Sequence, residues 1–213
     1  MQIHFNLENL ALILFTLGGL GTILFDQLGM EGPRIICLGL VVLGIGVCGF
    51  KMIVKRKAEI SARYTNNLHP TLYVFRGIPA IGWGITTVLI VGFILGYNVI
   101  DMTGWTSAKL YFAERPGILI TLAGVMITAY GVGSAGYAAT WRRGIREGPV
   151  SPWARLGERI TGVLVIPVGL CITTLGVLYL VAPATAMAVH EAGRAWWHSL
   201  FSRLNEYLMG AIP

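Results

Sequence analysis

Five long runs of apolar residues, separated by shorter polar segments, dominate the chain. Each run has few charged positions over about 20 residues, the length that a helix needs to cross a hydrocarbon core of ~30 Å. A helix also satisfies its own backbone hydrogen bonds, which lipid cannot do for it. The pattern therefore predicts five transmembrane helices, over Leu7–Phe25, Arg34–Val54, Ile78–Ile100, Gly117–Ala139 and Ile160–Ala182.

The pattern changes after Pro183, where apolar residues recur at helical spacing on one side only. Trp196, Trp197 and Leu200 belong to the apolar side, while Glu191 and Arg194 belong to the polar side. An amphipathic helix of this kind lies in the plane of the membrane interface or packs against a partner subunit. The predicted fold class is an all-α integral membrane protein, with a five-helix transmembrane bundle over residues 1–183 and an amphipathic interfacial helix over 184–213.

Composition agrees with a membrane protein, since 55% of the residues are hydrophobic and 12% are charged, against about 25% charged in soluble domains. The net charge is +6, and eleven of the sixteen Lys and Arg residues lie in or next to two connectors, from Lys51 near the end of the second run to Arg76 and from Arg142 to Arg159. These connectors fall on one side of a five-span chain, and the positive-inside rule makes that side cytoplasmic. We therefore expect a multi-pass protein of a bacterial cytoplasmic (inner) membrane, with the N-terminus cytoplasmic and the C-terminus periplasmic.

Two clusters of basic residues in these connectors are candidate sites for anionic lipid headgroups and for fixing the topology. Basic residues at a membrane surface attract anionic lipids by about 1 kcal/mol each. Aromatic residues are not interleaved with them as stacking on nucleotide bases requires, so we expect no nucleic-acid partner. The predicted partners are membrane lipids and other membrane protein subunits. The candidate residues are Lys55, Arg56, Lys57, Arg142, Arg143 and Arg146.

Glycine recurs every seven residues in three of the five runs. Seven residues advance a helix by two turns less about 20°, so each series forms one slanting stripe that lacks side chains. Helices in lipid associate through close packing along such stripes, so we expect a tightly packed bundle or a surface for another membrane subunit. The candidate packing residues are Gly39 and Gly46 in the second run, Gly92 and Gly96 in the third, Gly117, Gly124 and Gly131 in the fourth, and Gly162, Gly169 and Gly176 in the fifth.

Motifs for catalysis or metal binding are not recognisable in the sequence. His190-Glu191 begins like the helical zinc-protease motif, but Arg194 stands where the second histidine would have to be. His190 and His198 are about 12 Å apart along a helix, too far to share a metal ion. We therefore predict a protein that is not an enzyme and has no cofactor other than lipids. The alternative for His190 and His198 is that one of them is an axial ligand to a pigment or haem.

A weak internal repeat relates the second and fourth runs. Glu31-Gly32-Pro33-Arg34-Ile35 precedes the second and Glu114-Arg115-Pro116-Gly117-Ile118 precedes the fourth, and both runs end in basic connectors. The pattern suggests a duplicated two-helix unit to which a fifth helix was added.

Three functional hypotheses are compatible with these features. The first is a non-catalytic subunit, or an assembly or scaffold factor, of a larger respiratory, photosynthetic or secretory membrane complex. The span interiors lack ionisable residues, which argues against a proton pump. The second hypothesis is a channel or carrier for small solutes that uses a kink at Pro167. The third is a pigment- or haem-carrying subunit.

Overall fold

The computed structural model describes residues 7–61, 72–102, 104–143, 146–151, 153 and 155–210. Within these ranges it contains seven helices, α1 (Leu7–Gln27), α2 (Glu31–Lys55), α3 (Ile78–Met102), α4 (Thr106–Glu114), α5 (Pro116–Ala135), α6 (Leu156–Val181) and α7 (Pro183–Gly210). It also contains four strands, β1 (Lys57–Ser61), β2 (Leu72–Arg76), β3 (Ala138–Arg143) and β4 (Arg146–Pro149).

The five apolar runs are confirmed as helices that are long and apolar enough to cross a membrane, α1, α2, α3, α5 and α6. The predicted end of the fourth span, Ala139, was wrong. α5 ends at Ala135, because Gly136 has extended backbone angles, φ −67° and ψ 156°, and leads into β3. The fifth begins at Leu156, four residues before the predicted start. Residues 1–6 and 211–213 of the two predicted domains lie outside the described residues.

The five long helices stand side by side in an open row. Among the five, each contacts only its neighbours in the order α1, α2, α3, α5, α6, and the contacting residue pairs show that adjacent helices are antiparallel. Among the described residues, no contact closes the row between its first and last helices. About half of the large apolar side chains of the row are therefore exposed, including Leu12, Ile36 and Leu164, and nearly all the others are only partly buried. Exposed apolar surface of this extent is expected of helices surrounded by lipid or by other membrane helices.

A four-stranded antiparallel sheet lies at one end of the row, and the sequence analysis did not predict it. The strand order is β1-β2-β3-β4. β1 and β2 come from the first basic connector, and β3 and β4 come from the second. Because β2 pairs with β3, through Val74 opposite Thr140 among others, the two basic connectors share one end of the row. We call it the sheet end.

A small apolar core joins the sheet to the helices. Phe75 of β2 and Ala80 of α3 are fully buried, and Ala58 of β1 is nearly so. The ring of Phe75 lies 6.1 Å from that of Trp83, which contacts Tyr130 of α5 edge to face at 5.5 Å. This cluster packs the sheet against the ends of α2 and α3, so its position relative to the row is fixed by side-chain packing.

The opposite end of the row carries the two remaining helices. α4 contacts α3 and α5, whereas α7 contacts α6 alone among the described elements. The turn from α1 to α2 also lies at this end, and Arg34 Nη1 bonds Asp26 Oδ1 there at 2.7 Å. Trp105 is at this end and Trp83, Trp141 and Trp153 are at the sheet end, whereas Trp196 and Trp197 lie in the middle of α7.

The order of elements repeats within the chain. α2, β1, β2 and α3 follow one another in the same order as α5, β3, β4 and α6. The similar second and fourth spans, α2 and α5, therefore occupy matching positions in two helix-strand-strand-helix units. The duplication itself stays a prediction.

Candidate functional site

The sheet end gathers all six of the basic residues selected from the sequence. Lys55 closes α2, Arg56 caps it, and Lys57 opens β1. Arg142 and Arg143 end β3, and Arg146 begins β4. Antiparallel pairing of the four strands holds these residues on one platform beside the helix ends.

A cavity of about 530 Å³ opens between this platform and the helices, and we call it the basic cavity. The beginning of α1, the last two turns of α2, β1 and β3 form its wall. Four cationic side chains and two carboxylates face it, together with the apolar side chains of two α2 residues. The lining residues are Glu8, Cys48, Lys51, Met52, Lys55, Lys57, Glu59 and Arg142.

Each carboxylate in the basic cavity is shared between two cations. Glu8 Oε1 lies 2.8 Å from Lys51 Nζ and 3.1 Å from Lys55 Nζ. Glu59 Oε1 lies 2.9 Å from Lys57 Nζ and 3.6 Å from the Nη1 atom of Arg142. Glu8 thereby ties α1 to α2, and Glu59 ties β1 to β3, so the cavity is bounded by two ion clusters.

The hydrogen bond from Lys57 lowers the pKa of Glu59 below its ordinary value, and the charges of Lys57, Arg142 and Lys51 add to this effect against the opposing effect of partial burial. A carboxyl group with a lowered pKa stabilises the fold above the pKa of the unfolded chain, and this contribution disappears as the pH falls through the folded value. The ion pairs of Glu59 with Lys57 and Arg142 are therefore expected to be present at neutral pH and to be lost in acid, where the carboxylate is protonated.

Substituting Lys57→Gln should raise the pKa of Glu59 towards its ordinary value, because the largest cause of the shift is lost. The measurement is a pH titration of the ¹³C-labelled Glu59 carboxyl by NMR in detergent. Arg143→Gln, which changes an exposed cation outside the cavity, is the control and should leave the titration unchanged. An identical Glu59 titration in the wild-type chain and the Lys57→Gln variant would contradict the assignment.

Three of the cavity residues are among the basic candidates selected from the sequence, and the other five are not. Lys55, Lys57 and Arg142 line the cavity, whereas Arg56, Arg143 and Arg146 are exposed outside it. Arg56 is the C-cap of α2 and has the left-handed conformation, φ 48° and ψ 35°. Two features of the sequence could have identified further cavity residues. Lys51 lies four residues before Lys55, on one helix face, and Glu59 lies two residues after Lys57, on one strand face.

A second candidate surface is the contact between α5 and α6, which we call the glycine seam. All three candidate glycines of each helix lie in it. A Cβ at Gly131 would lie 2.9 Å from the Gly162 carbonyl oxygen and 2.8 Å from Ile166 Cγ1, and one at Gly117 would lie 2.7 Å from the Gly176 carbonyl oxygen. The residue numbers of the contacting pairs rise on α5 as they fall on α6, so one register runs through the whole seam.

Threonine side chains fill the spaces that the glycines leave. Thr173 packs on Gly124, Thr128 on Gly169 and Thr121 on Gly176. Each hydroxyl donates to the carbonyl oxygen four residues earlier in its own helix, at 2.7–2.9 Å. The polar group of each threonine is therefore satisfied within its own helix while its bulk fits the facing glycine, and the two backbones come into contact.

The four remaining candidate glycines lie outside the glycine seam. A Cβ at Gly46 would touch Val91 Cγ1 at 3.0 Å, so Gly46 belongs to the contact between α2 and α3. At Gly39, Gly92 and Gly96 a Cβ would meet no atom within 4 Å among the described residues. Gly92 and Gly96 instead line an apolar groove of about 460 Å³ between α3 and α5, beside Phe93, Phe112 and other apolar residues.

The two histidines considered as cofactor ligands lie on α7. Both His190 and His198 are exposed. Within the part of the chain that the structure describes, no group of three or more His, Cys, Asp or Glu side chains is arranged to hold a metal ion.

Comparisons with models of protein families, with curated proteins and with solved structures give no match for this chain, so its functional interpretation rests on the geometry described above.

Proposed function

We propose that this protein is a non-catalytic membrane subunit, or an assembly factor, of a larger membrane protein complex. The observation that carries the proposal is the open row of five helices. A row has two long faces, and lipid or other proteins must cover both of them. Helices in lipid gain stability from close packing, and this row leaves most of its surface available for such packing.

We expect a partner helix to bind in the apolar groove between α3 and α5. Gly92 and Gly96 form a Gly-xxx-Gly pair, and the candidate glycines of α5 and α6 contact a neighbouring helix. Here the pair faces an open apolar groove instead. A transmembrane helix of a partner subunit would recover the van der Waals contacts that this surface leaves unmade.

We further propose a bacterial cytoplasmic membrane, with the sheet end on the cytoplasmic side. The support is the concentration of basic residues at that end, together with the positive-inside rule. The exposed apolar side of α7, where Trp197 contacts both Trp196 and Phe201, would then lie at the periplasmic interface or against a partner.

The alternative of a solute channel or carrier receives less support. An open row encloses no path among the described helices, so one chain alone would not surround a solute. Pro167 lies inside α6, which continues from Leu156 to Val181. A pore would have to form between several copies of the chain or with a partner.

The proposed function is tested by extracting the chain from native membranes in a mild detergent and identifying the proteins that co-purify. We expect one or more membrane subunits in fixed ratio. Replacing both Gly92 and Gly96 by leucine should release the partner without lowering the thermal stability of the isolated chain. Gly157→Leu, at an open glycine near the sheet end of α6, is the matched control and should retain it. A chain that purifies alone and monodisperse would refute the proposal.

A further inference from the structure

We propose that the basic cavity is a binding site for the phosphate-bearing headgroup of an anionic phospholipid. The acyl chains of the lipid would run along α2 into the bilayer. This proposal does not depend on the proposed function, because it concerns the sheet end and not the apolar groove between α3 and α5.

The charges in the cavity favour an anion. Among the described residues that line it, four cations face two carboxylates, which is an excess of two positive charges. The ion pairs with Lys51, Lys55 and Lys57 each engage one carboxylate oxygen, whereas a lysine ammonium has three N–H donors. Further donors can therefore bind phosphate oxygens, and hydrogen bonds between ionised groups are stronger than neutral ones.

The shape of the cavity favours a lipid over a soluble phosphate compound. Its volume of about 530 Å³ is within the usual range for ligand sites, about 300–1,000 Å³. Cys48 and Met52 form an apolar part of the wall on α2. Cys48 lies seven residues before Lys55, or about 10 Å further from the sheet end along the helix. A ligand with a charged head and an apolar stem matches both parts of this wall.

The basic residues outside the cavity distinguish a site from general attraction to an anionic surface. Arg143 and Arg146 belong to the same platform as Arg142 but do not line the cavity. General attraction would depend on all basic residues of the platform alike, since it follows their number near the surface. Binding at a specific site instead depends on the residues that face the cavity. Substitutions of Arg143 and Arg146 are therefore the matched control for substitutions of the cavity lysines.

Glu8 gives the proposal a test by increased affinity. Its Oε1 atom contacts both Lys51 and Lys55, so Glu8 competes with a phosphate for the same ammonium groups. Glu8→Gln removes one negative charge and keeps the size of the side chain. Lipid affinity should therefore rise in this variant, a result that misfolding could not produce.

The experiment titrates the purified full chain, in a non-ionic detergent, with phosphatidylglycerol and follows lipid binding by native mass spectrometry. We expect one saturable site, with phosphatidylcholine giving only background. The double variant Lys51→Gln/Lys55→Gln should weaken binding by about tenfold or more. Arg143→Gln/Arg146→Gln removes the same charge and should weaken binding by no more than about twofold, because these arginines lie outside the cavity.

Inorganic phosphate and glycerol phosphate, added as competitors, separate the two sources of the phosphate group. Displacement of phosphatidylglycerol only at large excess supports a lipid site. Displacement at the same concentration as the lipid supports a cavity that recognises the phosphate group of a soluble compound. Absence of saturable binding, equal weakening in the two double variants, or unchanged affinity in the Glu8→Gln variant would overturn the proposal.

Discussion

Replacing Gly124 by leucine should separate α5 from α6 and lower the free energy of unfolding by about 3 kcal/mol or more, the upper range for overpacking a close contact. A Cβ at this position would lie 2.5 Å from the Thr173 hydroxyl oxygen and 2.7 Å from its Cα. Backbone atoms cannot rotate away as a side chain can, so the two helices must move apart. Because one register runs through the seam, the contacts at Gly117 and Gly131 should weaken with it.

The matched control for this substitution is Gly39→Leu, on a long helix where a Cβ would meet no described atom within 4 Å. Its effect should stay within about 0.5 kcal/mol, as for a substitution away from packed contacts. Reversible unfolding of the purified chain in a denaturing detergent, followed by circular dichroism, measures both variants. Equal stability of the two variants would show that the glycine seam does not hold α5 and α6 together.

Arg155→Ala should loosen the sheet from the helix row and destabilise the protein by about 2–4 kcal/mol, since buried packing and a partly buried ion pair are lost together. Arg155 is only 7% exposed although it is charged. Its guanidinium lies 4.5 Å from the Phe75 ring centre and 5.2 Å from that of Tyr73, and its Nε atom bonds Glu158 Oε2 at 2.7 Å. It thus connects the beginning of α6 to β2.

Hydrogen exchange at the amides of β2 and β3 measures this connection directly. Exchange should accelerate in the Arg155→Ala variant, whereas the amides in the middle of α5 and α6 should be unaffected. Arg143→Ala removes an exposed arginine and should leave exchange in β2 unchanged. If β2 exchanges equally in both variants, then the core around Phe75 holds the sheet without help from Arg155.

The helices of the row could be predicted from the sequence because a membrane span is a local property. Twenty apolar residues without a break identify a span in any arrangement of its neighbours. The glycines of α5 and α6 could also be selected, since a heptad repeat places them on one face in each helix. Which helix lies opposite that face is not encoded locally: Gly39 and Gly46 have the same seven-residue spacing, yet a Cβ at Gly39 would meet no described atom within 4 Å.

The sheet was not predicted because its strands are short and because β2 pairs with β3, which is distant from it in sequence. Leu72–Arg76 has the aromatic and β-branched residues of a strand, but a single five-residue strand becomes stable only with partners. One partner, β3, begins with Ala138, which the apolar run of the fourth span had absorbed. The basic cavity follows from the same distant contacts, since Glu8 and Lys55 are 47 residues apart.

Labelling of single cysteines by a membrane-impermeant maleimide tests most directly whether five helices cross a membrane with both basic connectors on one side. Cys37, Cys48 and Cys171 are first replaced by serine. Arg56→Cys and Glu147→Cys then report on the two connectors, and Ser107→Cys and His190→Cys report on the opposite end; all four positions are exposed. In intact cells the account predicts labelling of positions 107 and 190 alone, with 56 and 147 labelled after the membrane is opened. Labelling of 56 and 147 from opposite sides would contradict it.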